Sequence, residues 1–228
     1  MLVGIYSPKG GSGTSVLAAA CAIVSSQETP TTLVDCSGDL PAILGLAQCT
    51  RAGVKELLTS EDAPIGALDR IAVQVMKNLD LLIAGVCEVP ETTTAGEKLG
   101  ASLRSRRATT VIDLGVPSNA GVLALARNVD VLIMVVRPCY LAYRRASENV
   151  LTPISTGAVI VEEANRALTA RDLERVIGIP ILATVAARPS IARAVDAGIL
   201  AARLPDALAR PARSVLAAAR SKAHKAVA

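Results

Sequence analysis

Short apolar runs alternate with helical patterns along the chain. Leu2 to Tyr6 is an uninterrupted stretch typical of a strand buried on both faces, and the pattern from Thr14 to Ser26 predicts a helix. A second strand is predicted from Thr31 to Val34, ending at Asp35. The other predicted strands are Val73–Met76, Leu79–Ile83, Thr109–Ile112, Val131–Val136, Ala158–Val161 and Ile181–Val185, and the helices between them include Glu91–Ser105, Ala120–Arg127 and Ala170–Ile177.

This alternation predicts one α/β domain with a mostly parallel sheet covered by helices on both faces. The strands on either side of Lys77 and Asn78 form the one predicted hairpin. We expect residues 1–204 to form the domain and residues 205–228 to form a basic C-terminal helix or tail, packed on the domain or extending from it. The predicted apolar side of this helix carries Leu208, Ala212, Val215, Leu216 and Ala219.

The composition excludes a disordered or membrane-spanning chain. Hydrophobic residues make up 51% of the chain and charged residues 19%, which is too apolar for disorder. The longest apolar run, Val16 to Val24, is about half of the ~20 residues that a spanning helix needs, and the start of the chain lacks the basic region of a secretory signal. The five cysteines include no C-x-x-C pair, so we expect buried, reduced thiols in a cytoplasmic protein.

The basic charge is concentrated at the end of the chain. Six of the 24 Lys and Arg residues and one of the 20 acidic residues lie from Arg203 onward. This part therefore has a net charge of +5, and the rest of the chain has a net charge of −1, which gives +4 for the whole chain. The tail has no aromatic residue, and we therefore expect no membrane insertion. Contact between its cations and DNA phosphates needs charge only and stays an open alternative.

A glycine-rich loop follows the first predicted strand and leads directly into a helix. Gly10, Gly11 and Gly13 allow backbone amides to curl around an anion, and the helix N-terminus adds partial positive charge. Ser15, at the start of the helix, is placed where a hydroxyl reaches a nucleotide-bound Mg²⁺. The loop therefore indicates phosphate binding, with a purely structural turn as the alternative.

Five segments carry a resemblance to a known family. Lys9 to Gly13 resembles the deviant Walker A motif of the ParA/MinD family of P-loop ATPases. Leu33 to Asp39 resembles the family's second strand and switch I, and Thr110 to Gly115 its Walker B strand and switch II. Leu81 to Gly85 and Val131 to Pro138 are similar to two further strands of the family. The resemblance implies a P-loop NTPase fold, ATP or ADP with Mg²⁺ as the ligand, and a nucleotide-sandwich homodimer.

The resemblance also implies roles for individual residues. Lys9 matches the signature lysine that reaches the partner's phosphates, and the implied catalytic set is Lys9, Asp39 and Asp113. Ser15 matches the Mg²⁺ ligand and Asp113 the Walker B carboxylate, which with Asp35 form the implied metal set. The implied nucleotide-binding residues are Lys9, Gly10, Gly11, Ser12, Gly13, Thr14 and Ser15.

Three positions depart from the family's pattern. Thr14 stands where the family has the lysine that stabilises the β- and γ-phosphates. Ser37 stands where switch I has a water-orienting aspartate, which leaves Asp39 as the nearest substitute. Glu162-Glu163 replace a pair that often reads adenine, with Asn165-Arg166 as substitutes if the loop shifts. We therefore expect ATPase activity to be weak or absent.

Two functional hypotheses from different classes follow. The composition, with 18 Arg against 6 Lys, and the degenerate loop are most similar to CpaE/TadZ-like proteins of Tad/Flp pilus localisation, which favours a spatial organiser working as a dimerisation switch with a protein partner. The alternative is a pseudo-ATPase scaffold that has lost hydrolysis. A less favoured alternative is a metabolic P-loop ligase.

The segment from Arg137 to Arg145, which includes Tyr140 and Tyr143, is either a solvated helix start or a docking surface.

Overall fold

The computed structural model of the chain describes residues 1–47, 52–59, 66–87, 92–106 and 108–227. Within helices, the side chains of residues 58–59 and 225–227 are not described. Every structural statement below concerns the described residues.

Eight strands and ten α-helices make up the described chain. The strands are β1 (Leu2–Tyr6), β2 (Thr31–Asp35), β3 (Ala72–Met76), β4 (Leu79–Leu82), β5 (Thr109–Gly115), β6 (Val131–Val136), β7 (Gly157–Glu162) and β8 (Ile181–Ala186). The helices are α1 (Thr14–Ser26), α2 (Leu40–Ile43), α3 (Val54–Thr59), α4 (Ala67–Ile71), α5 (Thr93–Ser105), α6 (Ala120–Arg127), α7 (Tyr140–Glu148), α8 (Ala170–Ile177), α9 (Pro189–Asp196) and α10 (Asp206–Val227), with a 3₁₀ turn at Thr152–Ile154.

The strands form one mostly parallel sheet in the order β3-β4-β2-β5-β1-β6-β7-β8. The antiparallel pair is β3 and β4, which confirms the predicted hairpin. Strand β1 lies between β5 and β6, so the chain leaves it toward one side of the sheet and later continues on the other. This reversal opens a crevice at the carboxyl end of β1, where sheets of this type bind ligands.

The helices cover both faces of the sheet, as predicted from the apolar strands. One core cluster packs α1, α2, α9 and α10 on the first face, and another packs α5, α6, α7 and α8 on the second face. Strand β6 shows the reason for the uninterrupted apolar runs, because Ile133 and Val135 face the first cluster while Met134 and Val136 face the second. A strand covered on both faces needs apolar residues at every position.

Helix α10 packs along α1 and β8 through the apolar side that the sequence predicts. Leu208, Ala212, Val215, Leu216 and Ala219 are all buried in the first core cluster. The guanidinium of Arg220 pairs with Glu28, and the Lys222 ammonium donates to the Thr156 hydroxyl. Two of the tail's cations therefore hold α10 to the domain.

Strand positions follow the sequence prediction closely, whereas several short helices do not appear in it. Helices α2, α3 and α4 have four to six residues, too few for a helical period to be recognised, and α9 was not predicted although it is as long as α6 and α8. The prediction of a strand through Ile83 was one residue too long, because the carbonyls of Ile83 and Ala84 accept the first amides of α3 instead. The helix predicted from Glu91 is observed from Thr93, and Glu91 lies outside the described residues.

The cysteines are less uniformly buried than the sequence suggested. The described thiols are unpaired, and Cys21 is buried while Cys36 and Cys139 are half-buried. The prediction was wrong for Cys87, which is exposed in the turn after β4, and Cys49 lies outside the described residues. None of the described helices combines the length and apolar character needed to cross a membrane.

Candidate functional site

The loop between β1 and α1 presents a row of free backbone amides. The amides of residues 10–16 donate to no acceptor in the part of the chain that the structure describes, and the first regular bond of α1 runs from the Leu17 amide to the Gly13 carbonyl. Gly10 and Gly11 are exposed, so their amides face solvent. Unsatisfied amides next to a helix N-terminus form a concavity suited to an anion.

Hydroxyl groups hold the shape of this loop. The carbonyl of Lys9 accepts hydrogen bonds from the Ser7 hydroxyl at 2.7 Å and from the Ser12 hydroxyl at 2.6 Å. Gly13, the N-cap of α1, has φ 88°, a left-handed conformation that only glycine adopts without strain. The anion-binding shape of the loop is therefore built into the protein before any ligand arrives.

Two aspartates meet beside the loop at the carboxyl ends of adjacent strands. Asp35 ends β2 and Asp113 lies opposite it in β5, and both side chains are fully buried. Asp113 is also paired in register with Ile5 of β1, one strand away from the loop. The parallel sheet therefore brings together two carboxylates that are 78 positions apart in the sequence.

Ser37 connects these carboxylates to the helix that follows the loop. Its hydroxyl donates to Oδ2 of Asp113 at 2.6 Å and lies 3.2 Å from Oδ1 of Asp35. On its other side, the Ser37 hydroxyl lies 3.3 Å from the Ser15 hydroxyl, in position to accept its proton. We name Ser15, Asp35, Ser37 and Asp113 the carboxylate cluster.

Backbone amides partly offset the burial of the two carboxylates. Asp35 accepts the amides of Ser37 and Gly38 on Oδ1 and the amide of Leu40 on Oδ2. Burial, together with the nearby charge of Asp113, nevertheless raises the pKa of Asp35 to about 6 against these hydrogen bonds. The pKa of Asp113 is likewise raised, mainly by burial, while hydrogen bonds from Ser15 and Ser37 lower it. The cluster is thus short of positive charge.

The donor set of the cluster fits Mg²⁺. A magnesium ion takes hard oxygen ligands, uses one or two carboxylates and keeps several of its waters. Hydroxyl and carboxylate oxygens are the donors that Ser15 and Asp113 offer, and a divalent cation would relieve the raised pKa of the buried carboxylates. The described residues contain no group of three or more His, Cys, Asp or Glu side chains arranged for a metal, so the protein alone does not form a closed metal site.

The other predicted catalytic residues lie at the edge of this arrangement. The half-buried Lys9 donates from its ammonium to the Gly10 carbonyl at 3.4 Å, and among the described residues no hydrogen bond joins it to the carboxylate cluster. Asp39 is exposed at the N-cap of α2, close enough for its charge to raise the pKa of Asp113. Thr14 is the first residue of α1 and is buried. Because the threonine side chain is short and neutral, it brings no cation to the loop.

The segment after β7 is fixed by ion pairs. Glu163 pairs with Arg137 at 2.8 Å, and Arg166 of the same segment also pairs with Glu163. Strand alternation places Glu162 on the opposite face of the sheet from Val161, which packs against the first core cluster. Asn165 is exposed with φ 63°. Glu163 and Arg166 therefore take part in ion pairs that the sequence did not predict.

A cavity of about 410 Å³ lies between the first turn of α1 and the ends of β7 and β8. We name it the β7–β8 cavity. Its wall includes Gly13 and Val16 on the loop side and Val161 and Val185 on the strand side. The polar side chains on its wall are those of two exposed arginines, Arg137 and Arg188. The cavity therefore continues the loop toward the carboxyl ends of β7 and β8.

The tyrosine pair of α7 is divided between surface and core. Tyr140 is 74% exposed, whereas Tyr143 is 4% exposed and donates its hydroxyl to the Thr169 carbonyl at 2.7 Å. Only Tyr140 of the two tyrosines is therefore exposed, because the buried side of α7 faces α8. Tyr140 and Leu141 remain exposed at the start of the helix.

Sequence analysis missed two residues of this region. Ser37 was interpreted only as a lost aspartate, although its position two residues after Asp35 is the spacing at which an Asx-turn forms. Arg188 was not singled out, although the following Pro189 marks the start of a helix directly after a strand, where ligands bind.

The fold is shared with solved structures of ParA and MinD proteins. A ParA family ATPase from Chlorobium tepidum has 21% identity and a TM-score of 0.74, with 94% of this chain and 97% of that chain covered. MinD in the MinC:MinD complex of Aquifex aeolicus has 18% identity and a TM-score of 0.75, with 95% of each chain covered. MinD of Pyrococcus horikoshii, complexed with Mg-ADP, has 17% identity and a TM-score of 0.74, with 96% and 94% covered. No protein-family model and no curated protein sequence matches the chain.

Proposed function

We propose that this chain is a spatial-organiser protein that binds ATP or ADP with Mg²⁺ and uses the nucleotide as a dimerisation switch. The observation that carries the proposal is the position of the carboxylate cluster beside a loop of free amides, at the reversal point of the sheet. The shared fold supports it, since one neighbour is complexed with Mg-ADP and another with MinC. A cytoplasmic location follows from the proposed use of ATP.

In this proposal each part of the site has a physical task. The free amides of residues 10–16 bind the phosphates, and their dipoles stabilise negative charge there. Ser15 and Asp113 would hold Mg²⁺, which supplies positive charge to the phosphates when bound. The Ser37 hydroxyl keeps Asp113 oriented by donating to its Oδ2. Asp35 fixes the turn that places Ser37, because three amides of that turn donate to its carboxylate.

Hydrolysis is proposed to be slow. Thr14 cannot place a charge on the transferred phosphoryl group, and the loss of one preorganised stabilising group typically slows such reactions by about 10²–10³-fold. Asp39 is the proposed water-orienting residue, in place of the aspartate that Ser37 replaces. Lys9 is proposed to reach the nucleotide of a partner copy, and the exposed position of its hydrogen bond to the Gly10 carbonyl supports this role.

The proposed partners are a second copy of the chain and a protein of a localisation machine. Pilus assembly and placement at the cell pole or septum are the proposed processes, on the resemblance to CpaE/TadZ-like proteins. The exposed side chains of Tyr140 and Leu141, near the carboxyl edge of the sheet, give a surface where such a partner could dock.

Thr14 also favours a second candidate function, a pseudo-ATPase scaffold. A chain that keeps the loop shape through Ser7 and Ser12 but lacks the loop lysine could bind its partner with no nucleotide. In that case the mass in solution would not depend on ATP.

The test is the mass of the protein in solution with and without ATP and Mg²⁺. We expect a dimer only with both, and we expect Lys9→Ala to remain a monomer. Lys77→Ala, which removes an exposed lysine at the β3–β4 turn, is the matched control and should dimerise like the wild type. A mass that is the same with and without nucleotide would contradict the switch and favour the scaffold.

A further inference from the structure

The β7–β8 cavity is where the base of a bound nucleotide would lie, which makes this inference dependent on the proposed function. Gly13 and the first turn of α1 form one wall of the cavity and also end the row of free amides. A nucleotide with its phosphates on those amides therefore has the cavity beside its sugar. Ligand sites of about 300–1,000 Å³ are usual for molecules of this size, and the cavity has about 410 Å³.

The side chains of the cavity wall offer hydrogen-bond donors but no acceptor. Arg137 and Arg188 are its polar side chains, and a guanidinium carries five N–H donors and no acceptor. Among the backbone groups nearby, the carbonyl of Arg188 already accepts the amides of Ile191 and Ala192. The 6-amino group of adenine is a donor and would face these donors without a side-chain partner.

The carboxylates that could have accepted from adenine are directed elsewhere. Glu163 is held by Arg137 and Arg166, and Glu162 extends toward Tyr143 on the other face of the sheet. Neither of them is part of the cavity wall. Arg137 is engaged by Glu163, whereas Arg188 has no ion-pair partner among the described residues.

We propose that the β7–β8 cavity accepts a 6-oxopurine at least as well as adenine, with Arg188 as the residue that reads the base. The O6 and N7 atoms of guanine are two adjacent acceptors, which a guanidinium binds in a bidentate manner. In adenine the same edge has one acceptor and one donor, so one of the two hydrogen bonds is lost. The site should therefore bind purine nucleoside triphosphates without selecting ATP over GTP.

The test compares the dissociation constants of ATP, GTP and inosine triphosphate in the presence of Mg²⁺. Inosine triphosphate has the O6 and N7 acceptors but lacks the 2-amino group of guanine. We expect GTP and inosine triphosphate to bind similarly, and each to bind between equally and about tenfold more tightly than ATP. ATP binding measurably more tightly than GTP would overturn the inference and leave the proposed function intact.

Variants of Arg188 separate base reading from general attraction to phosphate. Arg188→Ala should weaken GTP about tenfold and ATP less than about twofold. Arg188→Lys keeps the charge but loses the planar fork, so it should resemble the alanine variant for GTP. Arg193→Ala, which removes an exposed arginine of α9 outside the cavity wall, is the control and should change neither affinity.

Equal weakening of all three nucleotides by Arg188→Ala would overturn the inference. If millimolar nucleotide of any kind fails to bind, the proposed function itself is wrong and the inference falls with it.

Discussion

The phosphate end and the base end of the candidate site differ in how they use charge. At the phosphate end, two fully buried carboxylates lie next to each other with hydroxyls and amides as partners. At the base end, the carboxylate of Glu163 is neutralised by two exposed arginines, and the cavity wall is mainly apolar. A buried charge without a cation destabilises a fold and persists where function needs it, whereas an exposed ion pair contributes little either way. The charge of the first end is therefore buried among hydroxyls and amides, whereas the charge of the second end is paired at the surface.

The largest expected effect comes from returning the missing charge to the phosphate end. Thr14→Lys should raise the rate of ATP hydrolysis by about 10²–10³-fold, because a cation would again stabilise charge on the transferred phosphoryl group. The rate is measured as phosphate released per protein under saturating ATP and Mg²⁺. Thr14→Ala, which changes the same position without adding charge, is the control and should hydrolyse ATP as slowly as the wild type. A Thr14→Lys rate equal to the wild-type rate would show that Thr14 is not what limits hydrolysis.

The next largest effect is expected at Asp113, where one substitution should weaken nucleotide binding and raise the stability of the free protein. Asp113→Asn should weaken Mg²⁺-dependent nucleotide binding about 100-fold, because a proposed ion ligand is lost. The same variant should melt at a higher temperature than the wild type without nucleotide, since it removes a buried charge whose pKa is raised. Thermal unfolding with and without Mg²⁺ and ATP measures both effects. Asp196→Asn, on the exposed end of α9, is the control. A lower melting temperature for Asp113→Asn than for the wild type would show that the buried charge of Asp113 does not destabilise the folded protein.

The pH dependence of the unfolding free energy tests the buried charge of the neighbouring Asp35 in the wild-type protein. The pKa of Asp35 is about 6 in the folded protein against 3.8 for an ordinary aspartate, so folding favours its protonated form. Its contribution to stability is therefore complete below about pH 3.8 and is lost as the pH rises through about 6. In the window from about pH 4.5 to about pH 6, this amounts to about 1.5 kcal/mol of unfolding free energy. Urea unfolding at several pH values measures it, and Asp35→Asn should remove most of the slope.

The smallest effect is expected at the base end. Glu163→Gln breaks two exposed ion pairs and should lower the free energy of unfolding by no more than about 1 kcal/mol. Glu148→Gln, which breaks the exposed pair with Arg144 on α7, provides the comparison and should have a similar effect. A loss several times larger in Glu163→Gln alone would show that this end of the site is as strongly constrained as the carboxylate cluster.

The sequence predicts the sheet better than it predicts the site. Strand β6 is predicted to the residue because burial on both faces demands an apolar residue at each position from Val131 to Val136. Helix α2 has too few residues for a period and follows the turn at Asp35, whereas α9, as long as α6 and α8, is marked in the sequence only by Pro189 at its start. Local pattern is sufficient for long elements, whereas short ones depend on contacts that the sequence does not display.

Within the site, the sequence identifies the residue types but not their orientation. Ser15, Asp35 and Asp113 could be selected because they follow strands or begin a helix. That Ser37 links them became clear only when the sheet brought β2 and β5 side by side. In the same way, the ion pairs of Glu163 with Arg137 and Arg166 became clear only in the structure.

The central claim is that the carboxylate cluster and the free amides together form a Mg²⁺-dependent nucleotide site. The most direct test is a calorimetric titration of the wild-type protein with ATP, once with Mg²⁺ and once with EDTA. We predict binding of one nucleotide per chain with Mg²⁺ and much weaker binding in EDTA. No heat of binding at millimolar ATP with Mg²⁺, or equal affinity in EDTA, would contradict the claim.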